Sequence, residues 1–335
     1  MGQTNLIRNK ATLPFSWTGG GKDDLTALNG VTGHNLGGDY AAANAPYLVK
    51  FDNTDDYIEI KTNEQPSRVY IGVKMIGGGT TSTITVQASE DGTSFDQGEE
   101  LSISGSQNDI VHLVSTRTFD SSVRYIRLLF TKGSNVGVGP ITIIAGNSVP
   151  ATVNASYGYG TFASGFPLDF SSVSNVSAWQ ITSANASTGV ITFTQITGTV
   201  ASATGVFLKR EADGDINIPV VTSGTDISST NMLEGTTGYK VVTADQYYGL
   251  KGNEFVPVNG STTVPAGKAL LPANALTTGG GAKSFTFVFQ DATGIKTVEH
   301  VSAEQAAEIF NLAGQRLSKP VKGINIINGK KVLVK

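Results

Sequence analysis

The stretch Arg68-Val-Tyr-Ile-Gly-Val-Lys-Met-Ile76, followed by Gly77-Gly-Gly79 and Ser82-Thr-Ile-Thr-Val-Gln-Ala-Ser89, decides the fold class. Its first part is rich in β-branched and aromatic residues, which favour strands, and the glycines end that strand. The last part alternates with a period of two, so its apolar side chains lie on one face. The stretch therefore predicts two strands, the second with one buried face.

Further segments of this type lie on both sides of that stretch. They are Tyr57-Ile-Glu-Ile-Lys61, Ile110-Val-His-Leu-Val114, Val123-Arg-Tyr-Ile-Arg-Leu-Leu-Phe130 and Pro140-Ile-Thr-Ile-Ile144. None of them shows a convincing 3.6-residue period, the pattern of an amphipathic helix. Charged residues make up 15% of the chain, and glycine accounts for 40 of its 335 residues. Low charge, many turns and few helix formers predict an all-β protein.

Composition also excludes several classes of function. The formal net charge is −3, and without a basic run the chain has no electrostatic footprint for nucleic acid. Cysteine is absent, which excludes disulfides, thiolate catalysis and thiolate metal sites. No apolar run reaches the roughly 18 residues of a membrane-spanning helix, so we expect no transmembrane segment.

The first region, residues 1–147, resembles a known family of binding modules. The hairpin sequence Val86-Gln-Ala-Ser-Glu-Asp-Gly-Thr-Ser-Phe95 and the later strand Val123-Arg-Tyr-Ile-Arg-Leu128 carry the resemblance. They are similar to paired features of discoidin- and coagulation-factor-type modules. The resemblance implies a galactose-binding-like jelly roll, although this chain lacks the disulfide that often closes those domains.

The second region, residues 148–292, has strand and turn signals at a spacing of about ten residues, which is typical of β-sandwiches. Its landmarks are Tyr159-Gly-Thr-Phe162, Gly205-Val-Phe-Leu-Lys209 and Pro265-Ala-Gly-Lys-Ala269. With these it resembles a β-sandwich module of secreted Bacteroides and Prevotella proteins. We therefore expect a second sandwich domain after the jelly roll.

The third region, residues 293–335, is expected to be a linker and a small β tail. Glu308-Ile-Phe-Asn-Leu-Ala-Gly-Gln-Arg-Leu317 and Gly323-Ile-Asn-Ile-Ile-Asn-Gly-Lys-Lys-Val-Leu-Val-Lys335 predict short strands, with a turn at Asn328-Gly329. The tail resembles the C-terminal sorting domains of exported Bacteroidetes proteins, although Asn325 stands where that family commonly has Tyr. The resemblance implies a secreted or outer-membrane, cell-surface protein whose signal peptide we presume removed.

A sugar site is one hypothesis for the first region, because sugar C–H faces stack on aromatic rings while polar neighbours bond the hydroxyls. Trp17 lies in a loop-like segment, and His34, Asn35 and Tyr40 follow it. In a jelly roll such a segment would lie at the binding rim. Alternatively, Trp17 plugs the end of the barrel together with Phe15.

A structural calcium ion is the only cofactor that the sequence suggests. Asp52, Asp55 and Asp56 cluster in one loop, and several carboxylate oxygens close together can hold Ca²⁺. The jelly-roll resemblance is consistent with such an ion. The alternative is a solvated turn ahead of the strand that begins at Tyr57.

Three functional hypotheses result. The first is an exported, non-catalytic protein that binds a glycan or another cell-surface component. The second is a structural, adhesin-like surface protein with a protein partner, which would expose an apolar patch or strand edge. The third is an unrecognised hydrolase with two carboxylates in one pocket. Only three histidines occur, at His34, His112 and His300, and no catalytic motif is found, so we expect no enzyme.

Overall fold

The computed structural model shows an all-β protein, which confirms the predicted fold class. The structure describes residues 9–40, 48–76, 80–104, 110–277, 285–290, 296–298, 309–327 and 330–334. In these residues no helix is both long and apolar enough to cross a membrane.

The strands of the first region form two sheets. In chain order the elements are β1 (Phe15–Trp17), α1 (Lys22–Thr26), β2 (Val31–His34), β3 (Asp39–Tyr40), β4 (Leu48–Phe51), β5 (Tyr57–Lys61), β6 (Arg68–Met75), β7 (Ser82–Ser89), β8 (Glu99–Ile103), β9 (Val111–Val114), β10 (Tyr125–Thr131) and β11 (Val136–Ile144). One sheet has the order β3-β4-β11-β6-β9, with β1 paired to β11. The other has the order β2-β5-β10-β7-β8.

The two sheets enclose a single apolar core, as in a β-sandwich. In the second sheet, alternation sends Ile58, Ile126 and Val86 inward. The stretch that decides the fold class supplies one strand to each sheet, since β6 and β7 do not pair.

The second region is built around a longer sheet. Its strands are β12 (Ser148–Ala151), β13 (Tyr159–Phe162), β14 (Leu168–Asp169), β15 (Val176–Asn185), β16 (Val190–Ile196), β17 (Thr199–Val200), β18 (Val206–Arg210), β19 (Ile216–Pro219), β20 (Glu234–Thr236), β21 (Lys240–Val242), β22 (Tyr247–Lys251), β23 (Glu254–Pro257), β24 (Thr262–Val264), β25 (Lys268–Pro272), β26 (Thr286–Gln290) and β27 (Lys296–Val298). Residues Ala273–Ala275 form one 3-10 turn. The strand order β13-β18-β15-β16-β26-β27 defines what we call the central sheet.

The central sheet buries both of its faces. On one face Leu208 packs in a cluster with residues of β12, β14 and β19. On the other, Phe193 and Phe207 pack against residues of β22, β23 and β25. The second region thus has an apolar core on each side of one sheet. A two-sheet sandwich, which the turn spacing predicted, would have a single core between its sheets.

The first and second regions share part of their packing. Tyr70 of β6 is fully buried, and it belongs to the apolar cluster of the second region. Its ring meets Phe166 edge-on at 6.0 Å between centroids, and a Cβ on Gly165 would come within 2.3 Å of it. The Tyr70 hydroxyl lies 2.9 Å from Nδ1 of His112. An outward-facing tyrosine of the first region therefore closes a core of the second.

The tail extends the central sheet. It consists of β28 (Ile309–Asn311), β29 (Arg316–Leu317), β30 (Gly323–Ile327) and β31 (Lys330–Val334), and Leu333 pairs with Thr297 of β27 in parallel. Since β27 lies in the expected linker, part of that linker is strand. The predicted turn at Asn328-Gly329 lies outside the described residues, although Ile327 and Lys330 pair across it. The domain boundaries stay predictions.

His112 gives the shared packing a predictable pH dependence. Burial lowers the pKa of His112 to about 4, whereas an unfolded histidine titrates near pH 6.5. The contribution of neutral His112 to the free energy of unfolding is therefore complete above about pH 6.5. It falls by up to about 3 kcal/mol as the pH decreases towards 4. We expect the difference in unfolding free energy between wild type and His112→Gln, measured by urea titration, to shrink over that window. Parallel pH profiles of the two proteins would contradict this assignment.

Candidate functional site

The second region contains an open cleft of about 340 Å³. It lies between the loop that precedes β13 and the hairpin of β22 and β23. Its volume is at the lower end of the range for small-molecule sites. The lining residues are Thr152, Val153, Asn154, Tyr159, Gly160, Thr161, Leu250, Gly252 and Lys268.

Tyr159 gives the cleft a rigid apolar wall. Its ring packs against Phe207, Phe287 and Phe289, with centroids 5.2, 6.1 and 6.3 Å away. These three phenylalanines are at most 2% exposed and belong to one core cluster. Contacts of this kind hold an aromatic ring in one orientation, so this wall is preorganised.

A tight loop presents a second aromatic ring near the cleft. Asn154 Oδ1 accepts the backbone N–H groups of Ser156 and Tyr157 at 2.9 and 3.1 Å. The Asn154 carbonyl accepts the N–H of Gly158 at 2.8 Å, where φ is 72°, a value that favours glycine. The Tyr157 side chain that results is 52% exposed. A Cβ on Gly252 would come within 2.9 Å of its ring, so the ring rests on the cleft's own glycine.

The polar residues of the cleft come from strands that the core holds in place. Thr161 is buried on β13, and its hydroxyl accepts the Ala269 N–H at 3.1 Å. Lys268 begins β25 and is half-buried. Among the nine lining residues, Lys268 is the one that carries a charge. The cleft thus combines ring faces, hydroxyl and amide groups and one ammonium.

Hydrogen bonds from neighbouring groups lower the pKa values of several carboxylates among the described residues. Hydrogen bonds from the Ser94 N–H and from Thr93 keep the pKa of Asp91 well below its usual range. Burial alone would raise the pKa of Glu99, but hydrogen bonds from Ser115 and Thr116 outweigh it and lower that pKa. Every shifted carboxyl pKa among the described residues is lowered, whereas the general acid of a glycosidase needs a raised one.

Trp17 does not lie at an exposed rim. It is 4% exposed, its backbone pairs with Ile141 of β11, and its ring packs on Gly139, where a Cβ would come within 2.5 Å. A ring so covered has no free face for a sugar. The expectation of an exposed Trp17 is therefore wrong, and the alternative, in which Trp17 and Phe15 fill the core, agrees with their burial.

His34 is exposed and takes part in a stack on the outer face of the second sheet. Its ring lies on Tyr57 at 4.8 Å between centroids. Arg127 lies over the other side of this arrangement, 4.4 Å from the Tyr57 centroid and 3.5 Å from that of Phe95, and it pairs with Glu59 at 2.9 Å. Cation–π contacts and an ion pair thus already engage these rings.

Asn35, which follows β2, contacts the Asp52 to Asp56 loop that is predicted to bind calcium. Its Nδ2 donates to Oδ1 of Asp56 at 2.7 Å. Oδ2 of Asp56 accepts the backbone N–H groups of Asp52 and Asn53 at 2.8 and 2.9 Å. Two residues predicted for different roles therefore meet in one hydrogen-bonded loop.

The other residues predicted to bind calcium have different surroundings. Asp52 forms an ion pair with Lys50 at 3.0 Å, and Asp55 is exposed with a φ of 75°. In the described residues no three His, Asp or Glu side chains group closely enough to hold a metal ion. Calcium binding stays a prediction.

Tyr40 lies apart from His34 and Asn35, on the edge strand β3 of the first sheet. Lys74 lies 6.0 Å from its ring centroid. The predicted sugar residues are thus distributed over a core, two sheets and a loop. His34 on β2 and Tyr40 on β3 belong to different sheets of the sandwich, and a sugar site at His34, Asn35 and Tyr40 stays a prediction.

The sequence interpretation did not identify the cleft in the second region. In the structure Tyr157 is exposed, whereas Tyr159 packs on the core. The cleft is formed by segments about a hundred residues apart. Lys268 lies in the motif Pro265-Ala-Gly-Lys-Ala269, but nothing in that motif indicates that residues 152–161 lie beside it.

No protein-family model matches the sequence, and no curated protein matches it. The geometry of the chain is therefore the basis for assigning a function.

We expect Trp17→Ala to destabilise the protein by about 3–5 kcal/mol, because it removes a large buried side chain and leaves a cavity. Urea unfolding measures this loss. His34→Ala is a matched control at an exposed aromatic position and should lose less than about 1 kcal/mol. Equal stabilities of Trp17→Ala and wild type would contradict the burial of this ring.

We expect Asp56→Ala to destabilise the loop by about 2–3 kcal/mol, since three N–H donors lose a buried charged acceptor. Asp55→Asn, a change at the exposed neighbouring carboxylate, should have little effect. Thermal unfolding of wild type, Asp56→Ala and Asp55→Asn, with calcium and with a chelator, measures the loss of stability in each variant and the effect of calcium on it. A stabilisation of wild type by calcium that Asp56→Ala lacks would show instead that the loop binds the ion.

Proposed function

We propose that this protein is a non-catalytic carbohydrate-binding protein whose sugar lies in the cleft beside Tyr157. The observation that supports this most directly is the exposed Tyr157 ring, which a hydrogen-bonded loop holds next to a polar cleft. A sugar has an apolar C–H face and a rim of hydroxyl groups. The ring would take the face, while Asn154 and Thr152 would bond the hydroxyls.

The composition of the cleft supports binding over hydrolysis. A glycosidase places two carboxylates on either side of the scissile bond. None of the nine lining residues is acidic. We therefore propose a protein that holds a glycan without cleaving it.

The proposed location follows from the resemblance of the tail to sorting domains of exported Bacteroidetes proteins. We propose a secreted or cell-surface protein of that group. In this arrangement the tail would serve attachment or sorting, and the cleft would lie in the preceding region. None of the tail residues that the structure describes lines the cleft, so we propose that binding and attachment are separable functions.

An adhesin-like role with a protein partner is the second candidate, and one observation favours it. Among the described residues, four large apolar or aromatic side chains are exposed, and three of them belong to the tail. They are Leu312 at 63%, Val321 at 45% and Ile324 at 38%. Exposed apolar groups concentrated in one module are typical of contact surfaces.

We expect the purified chain to bind glycans on an array, and Tyr157→Ala to weaken that binding about fivefold to tenfold, since stacking on one ring contributes about 1–1.5 kcal/mol. The matched control is a His34→Ala and Tyr40→Ala double variant, which removes the aromatic residues of the first region's predicted sugar site and should bind as wild type does. Circular dichroism verifies the fold of each protein.

Loss of binding in the double variant alone would place the sugar on the first region. Binding to no glycan would overturn the proposal and favour the protein-partner candidate.

A further inference from the structure

Among the nine described residues that line the cleft of the second region, one carries a positive charge and none a negative charge. Lys268 supplies that charge, and the other eight lining residues are uncharged. We propose that the glycan bound there is anionic and that Lys268 pairs with its carboxylate or sulfate group. This inference rests on the proposed function, because it concerns the same cleft.

The backbone of Lys268 is fixed by Thr236. The Thr236 hydroxyl accepts the Lys268 N–H at 3.1 Å, and its one proton lies within hydrogen-bond distance of the Pro265 and Lys268 carbonyls, at 2.9 and 3.0 Å. The two residues also pair in register between β20 and β25. The stem of the side chain therefore starts from a rigid position, so less freedom is lost when its ammonium group binds an anion.

Two other cations of the region are engaged within the protein. Lys240 pairs with Glu234 and also donates to the Tyr247 hydroxyl at 2.7 Å. Arg210 donates to the carbonyls of Ala212 and Gly214 at 3.3 and 3.1 Å. No described carboxylate forms an ion pair with Lys268. A cation in a partly shielded cleft attracts an anion more strongly than one in open water, so Lys268 is suited to a ligand.

The neighbours of Lys268 suit the remainder of a sugar acid. Because the Thr161 hydroxyl already accepts the Ala269 N–H, its own proton remains for a sugar oxygen. Glu254, on the hairpin beside Gly252, does not line the cleft and has an interaction of its own. No lining group would therefore repel an acid bound next to Lys268.

The charge of the whole chain makes this preference local. A net charge of −3 does not draw anions towards the protein at long range. Any preference for an anionic glycan must then come from the cleft, and salt should weaken it because the ion pair is partly exposed.

The test compares three oligosaccharides of equal length by titration calorimetry: an oligogalacturonide, its neutral galactose counterpart and a sulfated galactose counterpart. Wild type should bind at least one of the two anionic sugars about tenfold more tightly than the neutral one, the worth of one charged hydrogen bond. The comparison between uronate and sulfate identifies the acid group.

Lys268→Gln should remove the preference for the anionic sugar, and Lys268→Arg should keep it. Lys251→Gln is the matched control, because Lys251 is an exposed lysine on the hairpin of β22 and β23. This variant should behave as wild type does.

The outcomes separate this inference from the proposed function. If wild type binds neutral and anionic sugars equally and Tyr157→Ala abolishes both, the protein binds carbohydrate and the anionic preference is overturned. A preference that persists in Lys268→Gln would also overturn the role of Lys268. If no sugar binds to wild type, both the inference and the proposed function fail.

Discussion

Side chains alternate between the two faces of a strand, and in this protein the strands of the central sheet have to bury both sets. Along β18, Phe207 packs on one side and Leu208 on the other, each fully buried in a different cluster. A sheet that is apolar on both faces needs a cover on each. The remaining layers of the second region follow from that constraint.

The same constraint connects the first region to the second. Most residues of β6 are buried, because its inner side chains fill the sandwich while Tyr70 points outward into the next core. Close packing there leaves no space at Gly165 for a side chain. On the outer face of the other sheet, Arg127 lies against Tyr57 and Phe95 and pairs with Glu59, so its guanidinium partly shields these aromatic rings from water.

The polar groups of the turns and of the cleft lie outside the apolar clusters. Carboxylates such as Asp91 and Asp56 accept several N–H groups and stabilise turns, which is why they are poor candidates for catalysis. The cleft lies beside the aromatic core of the central sheet, at Tyr159. There rigid rings meet a strand end that carries Lys268. The nine residues that line the cleft therefore include one cation and no carboxylate.

The sequence by itself determined the all-β class, because period-two alternation and turn residues are local signals. It also located many of the strands, such as β7 and β10, and the Asp52 to Asp56 loop. Only the tertiary structure decided that Trp17 is buried, since that depends on Gly139 and Ile141, more than a hundred residues away. The cleft was decided in the same way. Residues 152–161 and Lys268 come together through sheet pairing, and no local pattern encodes which distant segments will share a surface.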